Sequence, residues 1–270
     1  MIKGNSFMTK RNVWGIIAIG LVMFMTLLGY FYTPYDPSQT AVLSRLQPPS
    51  LQHPFGTDHF GRDIFSRVLV GGRVSLFCGL ASVSMGAAVG VFLGLWSGFQ
   101  GGFWDEVSMR LSDGLQALPA ILLALLLATV WQPGVAVILW SVAIGNVPIF
   151  LRLTRTQTLK IKAQPYLEAS RALGASDFRM MFCHTLPNLK DALLVQFSLS
   201  LAGAILVEAS LSYLGVGIQP PQPSWGRMLR DAQSFASLAP WAVLIPGFFI
   251  ALTIIGFNLL GDSWIHRRYR

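Results

Sequence analysis

The sequence PYLEASRALGASDFRMMFCHTLPN, residues 165–188, lies inside a basic and polar segment, residues 152–190, that separates long apolar runs without charge. Pro165 suits the first turn of a helix, where its missing N–H costs nothing, and Glu168 in that turn complements the helix dipole. Gly174 can take the positive φ that ends a helix. The pattern therefore predicts a short helix that stops at the glycine.

A second helix is predicted directly after this glycine. Ser176 or Asp177 can cap its start, and Pro187 would close it before the next apolar run. Its apolar stripe is formed by Phe178, Met181 and Phe182. The prediction is a helix–glycine–helix unit at one membrane face, where a soluble partner can bind it.

The composition is that of a membrane protein. Hydrophobic residues make up 53% of the 270 residues and charged residues only 12%, and the mean hydropathy is +0.55. In so apolar a chain the net charge of +8 indicates loops that face anionic lipid, and it does not indicate nucleic-acid binding. Cys78 lies in an apolar run and Cys183 in the basic segment, so the two are not expected to form a disulfide.

Charge-free windows predict six membrane-spanning helices, because a helix needs about 20 apolar residues to cross a hydrocarbon core. The window 114–151 is too long for one crossing. Gln132-Pro133-Gly134 at its midpoint predicts a turn, so we expect two helices there. The other four windows are residues 12–35, 74–104, 192–213 and 239–261, of which 192–213 is interrupted by Glu208.

The lysine and arginine residues predict the orientation of these spans. Fourteen of the twenty lie at the two chain ends, at Arg110 and in residues 152–190. By the positive-inside rule these parts are cytoplasmic, so both termini are expected inside a multi-pass plasma-membrane protein. The expected divisions are an N-terminal tail with the first helix (1–35), an extracytoplasmic segment (36–73) and a core of five helices (74–270) with a cytoplasmic loop (155–188).

Glu208 is an ionisable residue inside the fifth apolar window. Such a group is costly in the membrane and usually faces protein or a water-filled path. We expect Glu208 to line a translocation path or to meet a polar group of a partner subunit, and a place at the membrane interface is the alternative. Asp113 and Asp262 mark span ends.

Residues 56–67 allow two interpretations. The favoured one is an amphipathic helix on the outer surface, with Thr57 or Asp58 as its N-cap. Its apolar side chains, expected to face the bilayer, are Ile64, Phe65, Val68 and Leu69. A metal site at His59 is the weaker interpretation, because a lone histidine rarely makes one.

The segment 165–188 resembles the EAA loop of bacterial ABC importer permeases. The likeness rests on Glu168-Ala169-Ser170, Gly174 and His184-x-Leu186-Pro187, although the general pattern has an aliphatic residue where His184 stands. Three further stretches are similar to the C-type permeases of the dipeptide, oligopeptide and nickel group. They are GTDHFGRDIFSR (56–67), EASLSYLGVGIQPPQPSWG (208–226) and FNLLGD (257–262).

This resemblance implies an all-α polytopic membrane protein with six transmembrane helices and the type I importer permease fold, in a bacterial inner membrane. Implied partners are a homologous permease subunit, two cytoplasmic ATP-binding subunits and an extracytoplasmic substrate-binding protein. ATP is bound by the partners, and no cofactor, metal or catalytic residue is expected in this chain. The implied ATPase-coupling residues are Glu168, Ala169, Ser170, Gly174, Ala175, Asp177, Leu186 and Pro187.

Other functional classes fit the sequence less well. An ion-coupled secondary transporter or channel would place several ionisable residues in its spans or show inverted repeats. A membrane enzyme would need a catalytic cluster, which four scattered histidines do not provide. No lysine follows a glycine, so the phosphate-binding loop of an ATPase is missing from the sequence. Short peptides are the leading expectation for the substrate, and nickel, free or bound to a chelator, is the second.

Overall fold

The computed structural model describes the backbone of residues 4–268 and the side chains of residues 13–263. The basic residues on which the orientation of the two chain ends was predicted lie outside the described side chains; they are Lys3, Lys10, Arg11, Arg267, Arg268 and Arg270. Between the ends, the described chain is built mainly of long helices.

Ten α-helices follow one another in the described chain. They are α1 (Gly4–Phe31), α2 (Ile64–Gln100), α3 (Gly102–Gln116), α4 (Ala120–Val130), α5 (Val135–Lys162), α6 (Pro165–Ala172), α7 (Asp177–Arg179), α8 (Leu186–Leu214), α9 (Trp225–Ala232) and α10 (Trp241–Arg268). A π-helical segment, Met180–Thr185, joins α7 to α8. Five helical runs are long and apolar enough to cross a membrane, and α3 with α4 gives a sixth when this bent pair counts as one span. The prediction of an all-α polytopic membrane protein is confirmed.

The prediction of a simple hairpin over residues 114–151 was wrong in its first arm. Helices α3 and α4 meet at 87°, because Pro119 has extended backbone angles and starts a new helix. The eleven residues of α4 reach only about 17 Å, too short for a crossing. The turn at Gln132-Pro133-Gly134 is confirmed, since α4 ends at Val130 and α5 begins at Val135.

The surface helix predicted around residues 56–67 was also wrong. Helix α2 begins at Ile64, ten residues before the predicted span, and its N-cap is Asp63, whose Oδ2 accepts a hydrogen bond from the Ser66 N–H at 2.8 Å. Ile64, Val68 and Leu69 are buried and do not face the bilayer. Ile64 and Val68 belong to an apolar cluster with side chains of α9 and α10, which cover this face of α2.

Glycines bring α2 and α5 into close contact. Every fourth residue of one face of α2 is a glycine, namely Gly86, Gly90, Gly94 and Gly98. A Cβ at Gly90 would lie only 2.5 Å from the carbonyl oxygen of Val147, so the two backbones touch. Small residues at this spacing allow two helices to pack tightly in a membrane. Close packing matters there because lipid is as apolar as the helix surfaces, so the hydrophobic effect does little to bring them together. We call this contact the glycine seam.

Helix α8 lies beside α2, α5 and α10, and α1 packs on α10 and α2. The two ends of α2 carry the features of interest. Its start meets residues 56–63 and α9, and its end meets the unit formed by residues 165–188. The long helices thus separate two polar regions.

Candidate functional site

Residues 165–188, which we call the elbow, begin with the predicted short helix. Helix α6 starts at Pro165 and ends as expected, with Gly174 at φ +86°. The Gly174 N–H donates to the Arg171 carbonyl at 2.9 Å, and the Ala175 N–H donates to the Ser170 carbonyl at 3.1 Å. This pair of bonds satisfies the last carbonyls of the helix and reverses the chain.

The second helix of the elbow is not a separate unit. Ser176 is its N-cap, since its Oγ accepts from the Arg179 N–H at 3.3 Å. Pro187 does not close this helix, as the sequence suggested, but sits in the first turn of α8. The π-helical turn before it has a wider hydrogen-bond spacing, from the Leu186 N–H to the Met181 carbonyl, and the helix continues without a break. The elbow is therefore in rigid continuity with a membrane span.

A small apolar cluster fastens the back of the elbow to the long helices. Leu167 of α6 is 4% exposed, and its cluster also contains Leu95, Phe99, Met180, Met181 and Leu189. The Lys162 ammonium of α5 donates to the Phe99 carbonyl of α2 at 2.6 Å. Helix α6 is thus packed against the ends of α2 and α8, and α5 is bonded to the same end of α2.

The front of the elbow is an exposed, mixed surface. Leu173 and Phe178 are 89% and 65% exposed, and the Arg171 Nη2 lies 3.1 Å from the Asp177 Oδ1 beside them. Exposed apolar side chains with charged neighbours are typical of a surface that meets another protein. Sequence reasoning missed Leu173 and grouped Phe178 with Met181 and Phe182 in one apolar stripe. A helix as short as α7 does not fix which of its side chains are buried.

The structure brings the eight predicted coupling residues into this one unit. Glu168, Ala169, Gly174, Asp177 and Pro187 are exposed, whereas Ser170, Ala175 and Leu186 are half-buried. Their coupling role stays a prediction.

Glu208, the residue predicted at a path or subunit interface, lies inside the chain. Its side chain is fully buried, and its Oε1 accepts a hydrogen bond from the Ser212 Oγ at 2.8 Å. The hydroxyls of Ser75 and Ser224 are also close. The carboxyl thus sits among α2, α8 and the N-cap of α9, and neither predicted role is tested by this arrangement.

At the other end of α2, a buried ion cluster joins residues 56–67 to α9. Arg62 contacts Asp58 through Nε at 2.6 Å and Asp231 through Nη2 at 3.2 Å. Arg227 contacts the same Asp231 at 2.9 Å, and Arg67 donates to the Pro37 carbonyl at 2.8 Å. We call this cluster, Asp58, Arg62, Arg67, Arg227 and Asp231, the clasp.

His59 packs against the clasp between aromatic rings. Its ring stacks on Phe235 at 5.0 Å and contacts Phe60 at 4.0 Å between centroids. Burial lowers the pKa of His59, and the nearby Asp58 carboxylate opposes this shift. The geometry is that of a stacked structural side chain.

Long apolar helices that pack together and end in an exposed polar elbow define a class, the polytopic membrane protein. The family described as "Binding-protein-dependent transport system inner membrane component" matches residues 90–269. The chain is 43% identical over 244 residues to the glutathione transport system permease protein GsiD of Escherichia coli O1:K1 / APEC, covering 90% of this chain and 80% of that protein.

Two other relatives have similar coverage. The oligopeptide transport system permease protein OppC of Bacillus subtilis (strain 168) is 41% identical over 254 residues, covering 94% of this chain and 83% of that protein. The dipeptide transport system permease protein DppC of Alkalihalophilus pseudofirmus is 40% identical over 257 residues, covering 94% and 84%.

Among solved structures, a chain of the MetNI methionine ABC transporter in its inward-facing conformations has a TM-score of 0.58 at 16% identity. The match covers 74% of this chain and 95% of that one, and it shows the shared fold. The protein therefore belongs to the binding-protein-dependent transport system inner membrane component family. It is a transmembrane permease subunit of an ATP-binding-cassette importer, and the resemblance in its sequence motifs is confirmed.

Proposed function

We propose that this permease forms half of an import path for short peptides and is driven through its elbow by cytoplasmic ATPases. The observation that carries the proposal is the two-sided elbow. Its front exposes Leu173 and Phe178, while its back is held by buried Leu167 to the ends of α2, α5 and α8. A partner bound at the front can therefore move the spans.

The mechanism follows from this geometry. When ATP draws two partner subunits together, each elbow moves with the subunit that holds it. Because the elbow continues into α8 without a hinge, and because the glycine seam locks α2 to α5, the spans turn as packed bodies. Alternating access then results from rotation of whole helices.

The proposed assembly contains a homologous permease, two ATP-binding subunits and an extracytoplasmic substrate-binding protein. In this chain the elbow and both termini are cytoplasmic, residues 36–63 are extracytoplasmic, and the core begins with α2 at Ile64. ATP is bound and hydrolysed by the partners only. The clasp then lies on the outer side, at the end of α2 opposite the elbow.

Short peptides are proposed as the cargo because the relatives are permeases for oligopeptides, dipeptides and glutathione, itself a tripeptide. Nickel, the second expectation from the sequence, gains no support from these names. The ion-coupled alternative gains none either.

Glu168→Lys tests the coupling role. Glu168 is exposed on α6, and a like-charge contact at a docked interface costs several kcal/mol. We expect uptake of a labelled dipeptide to fall by about tenfold or more, with the amount of permease in the membrane unchanged. The assay uses a strain that lacks the chromosomal permease gene and carries the whole importer.

Glu106→Lys is the matched control, because the Glu106 side chain is 69% exposed on α3 and lies outside residues 165–188. Its uptake should equal that of the wild type. Normal uptake by Glu168→Lys would refute the coupling role. Wild-type uptake of labelled nickel in place of the dipeptide would refute the proposed substrate.

A further inference from the structure

A groove of about 270 Å³ lies between α5 and α8, beside the start of α4. Asn146 borders both the groove and the glycine seam, since its Cβ would lie 2.7 Å from a Cβ built on Gly86. Its polar lining consists of Ser141, Asn146, Gln196 and Ser200, and two of its other residues are Gly145 and Gly203. No charged side chain lines it in the part of the chain that the structure describes.

The two glycines of this groove face open space. A Cβ built on Gly145 or Gly203 would meet no atom within 4 Å, whereas a Cβ in the glycine seam would clash with α5. A glycine inside a helix costs about 1 kcal/mol relative to alanine. The open space beside Gly145 and Gly203 adds to the room in the groove.

Two amide side chains of the groove have unused hydrogen-bonding atoms. Asn146 is 8% exposed and donates through Nδ2 to the Val142 carbonyl at 2.8 Å. Gln196 donates through Nε2 to the Ser200 Oγ at 3.2 Å. Among the described residues, none donates to the Asn146 Oδ1 or the Gln196 Oε1. These oxygens are acceptors for the N–H groups of a peptide backbone.

We propose that the groove around Gly145 and Gly203 is this chain's wall of the peptide path, and that Asn146 and Gln196 bind the backbone of the passing peptide. The inference rests on the proposed function. An uncharged wall has no Coulombic preference, so peptides with acidic and basic side chains pass at similar rates. The glycines leave room for side chains of different size.

Gln196→Glu tests the role of the uncharged wall. The change keeps the shape and adds one negative charge, which repels an acidic peptide and attracts a basic one. In the complete importer we expect the ratio of Asp-containing to Lys-containing dipeptide uptake to fall about tenfold, as a like-charge contact in a partly desolvated site implies. Gln39→Glu adds the same charge at an exposed position outside the groove and should leave the ratio unchanged.

Thiol labelling tests the groove without any transport assay. In a Cys78→Ala, Cys183→Ser background, Gly203→Cys within the assembled importer should react with a charged, water-soluble thiol reagent. Ile255→Cys on α10 is the control, since Ile255 is 55% exposed on an apolar helix and its thiol should stay unreactive in lipid. Added dipeptide with binding protein should slow the labelling of Gly203→Cys.

Each contrary outcome separates the two proposals. An unreactive Gly203→Cys means that a partner helix fills the groove, which overturns the inference while dipeptide uptake upholds the proposed function. An unchanged uptake ratio in Gln196→Glu also overturns it. If the wild type imports no dipeptide, the proposed function fails, and so does the assignment of the groove to peptides, even where labelling shows it to be water-filled.

Discussion

The clasp and the elbow lie at opposite ends of α2 and are held together in opposite ways. In the clasp, the side chains of Arg67 and Asp58 are 2% and 9% exposed and lie among other charged groups. In the elbow, the side chains of Arg171 and Asp177 are 57% and 52% exposed. The clasp has buried and partly buried ion pairs, whereas the elbow displays its Arg171–Asp177 pair.

This difference indicates which end is fixed. Breaking a buried ion pair leaves an uncompensated charge, so such a cluster locks the segments that it joins. An exposed pair contributes little to stability, and its charges remain available to a partner. The clasp therefore joins residues 56–67 to α9 through ion pairs. The elbow is anchored by apolar side chains at its back, and its polar contacts at the front are exposed.

Among the variants that test this comparison, Asp231→Ala is expected to lower stability the most. It removes the carboxylate that contacts Arg62 and Arg227. The buried Arg62 keeps its contact with Asp58, and the partly buried Arg227 loses this carboxylate. We expect the free energy of unfolding to fall by about 3 kcal/mol, the lower end of the usual cost of removing one partner from a buried ion pair. The check is the Tm of the detergent-purified protein.

Asp177→Ala is the matched control, because it removes one carboxylate from an exposed Arg–Asp pair. Its effect on the same stability should lie between zero and about 1 kcal/mol. Equal losses of stability in the two variants would show that the clasp and the elbow are not held differently.

Gly174→Val probes the backbone of the elbow and has a smaller expected effect. A Cβ at Gly174 meets nothing within 4 Å, so the cost comes from its φ of +86° alone. A β-branched residue in this left-handed region costs about 1–2 kcal/mol. Hydrogen exchange should therefore become faster in residues 165–176, with little change in α2.

Gly174→Asn is the control for this change, since asparagine accepts the left-handed conformation at a helix end. Its exchange rates should lie close to those of the wild type. If valine and asparagine gave the same rates, the positive φ would not be what stabilises the elbow.

The sequence predicted the elements that depend on local signals. Pro165 and Gly174 mark the limits of α6 because proline and glycine act through their own φ angles. The turn at Gln132-Pro133-Gly134 was found for the same reason. Likewise, Ser176 was one of the two predicted N-caps, and its short side chain reaches only the next turn.

Features that depend on distant partners were missed. Hydrophobicity shows that the side chains of Ile64 and Val68 avoid water. It does not show whether lipid or other helices cover them, so the prediction that they face the bilayer was wrong. The glycine seam had a visible signal in the four-residue spacing from Gly86 to Gly98, which was not used. The clasp had none, because Arg62 and Asp231 are 169 residues apart.

The smallest expected effect concerns pH at the rim of the clasp. Burial lowers the pKa of His59, and its Nδ1 has no hydrogen-bond partner among the described residues, so a proton there would lack an acceptor. In the unfolded chain the ring is protonated below about pH 6.5. As the pH falls below this value the unfolded state binds more protons than the folded state, and stability decreases.

Thermal unfolding of the purified protein at pH 7 and pH 5 should show a slightly larger loss of Tm in the wild type than in His59→Phe, which keeps the stacking on Phe235 but cannot be protonated. A larger loss in the variant would mean that the imidazolium is stabilised by Asp58 and Asp231, and that the clasp accepts a further positive charge.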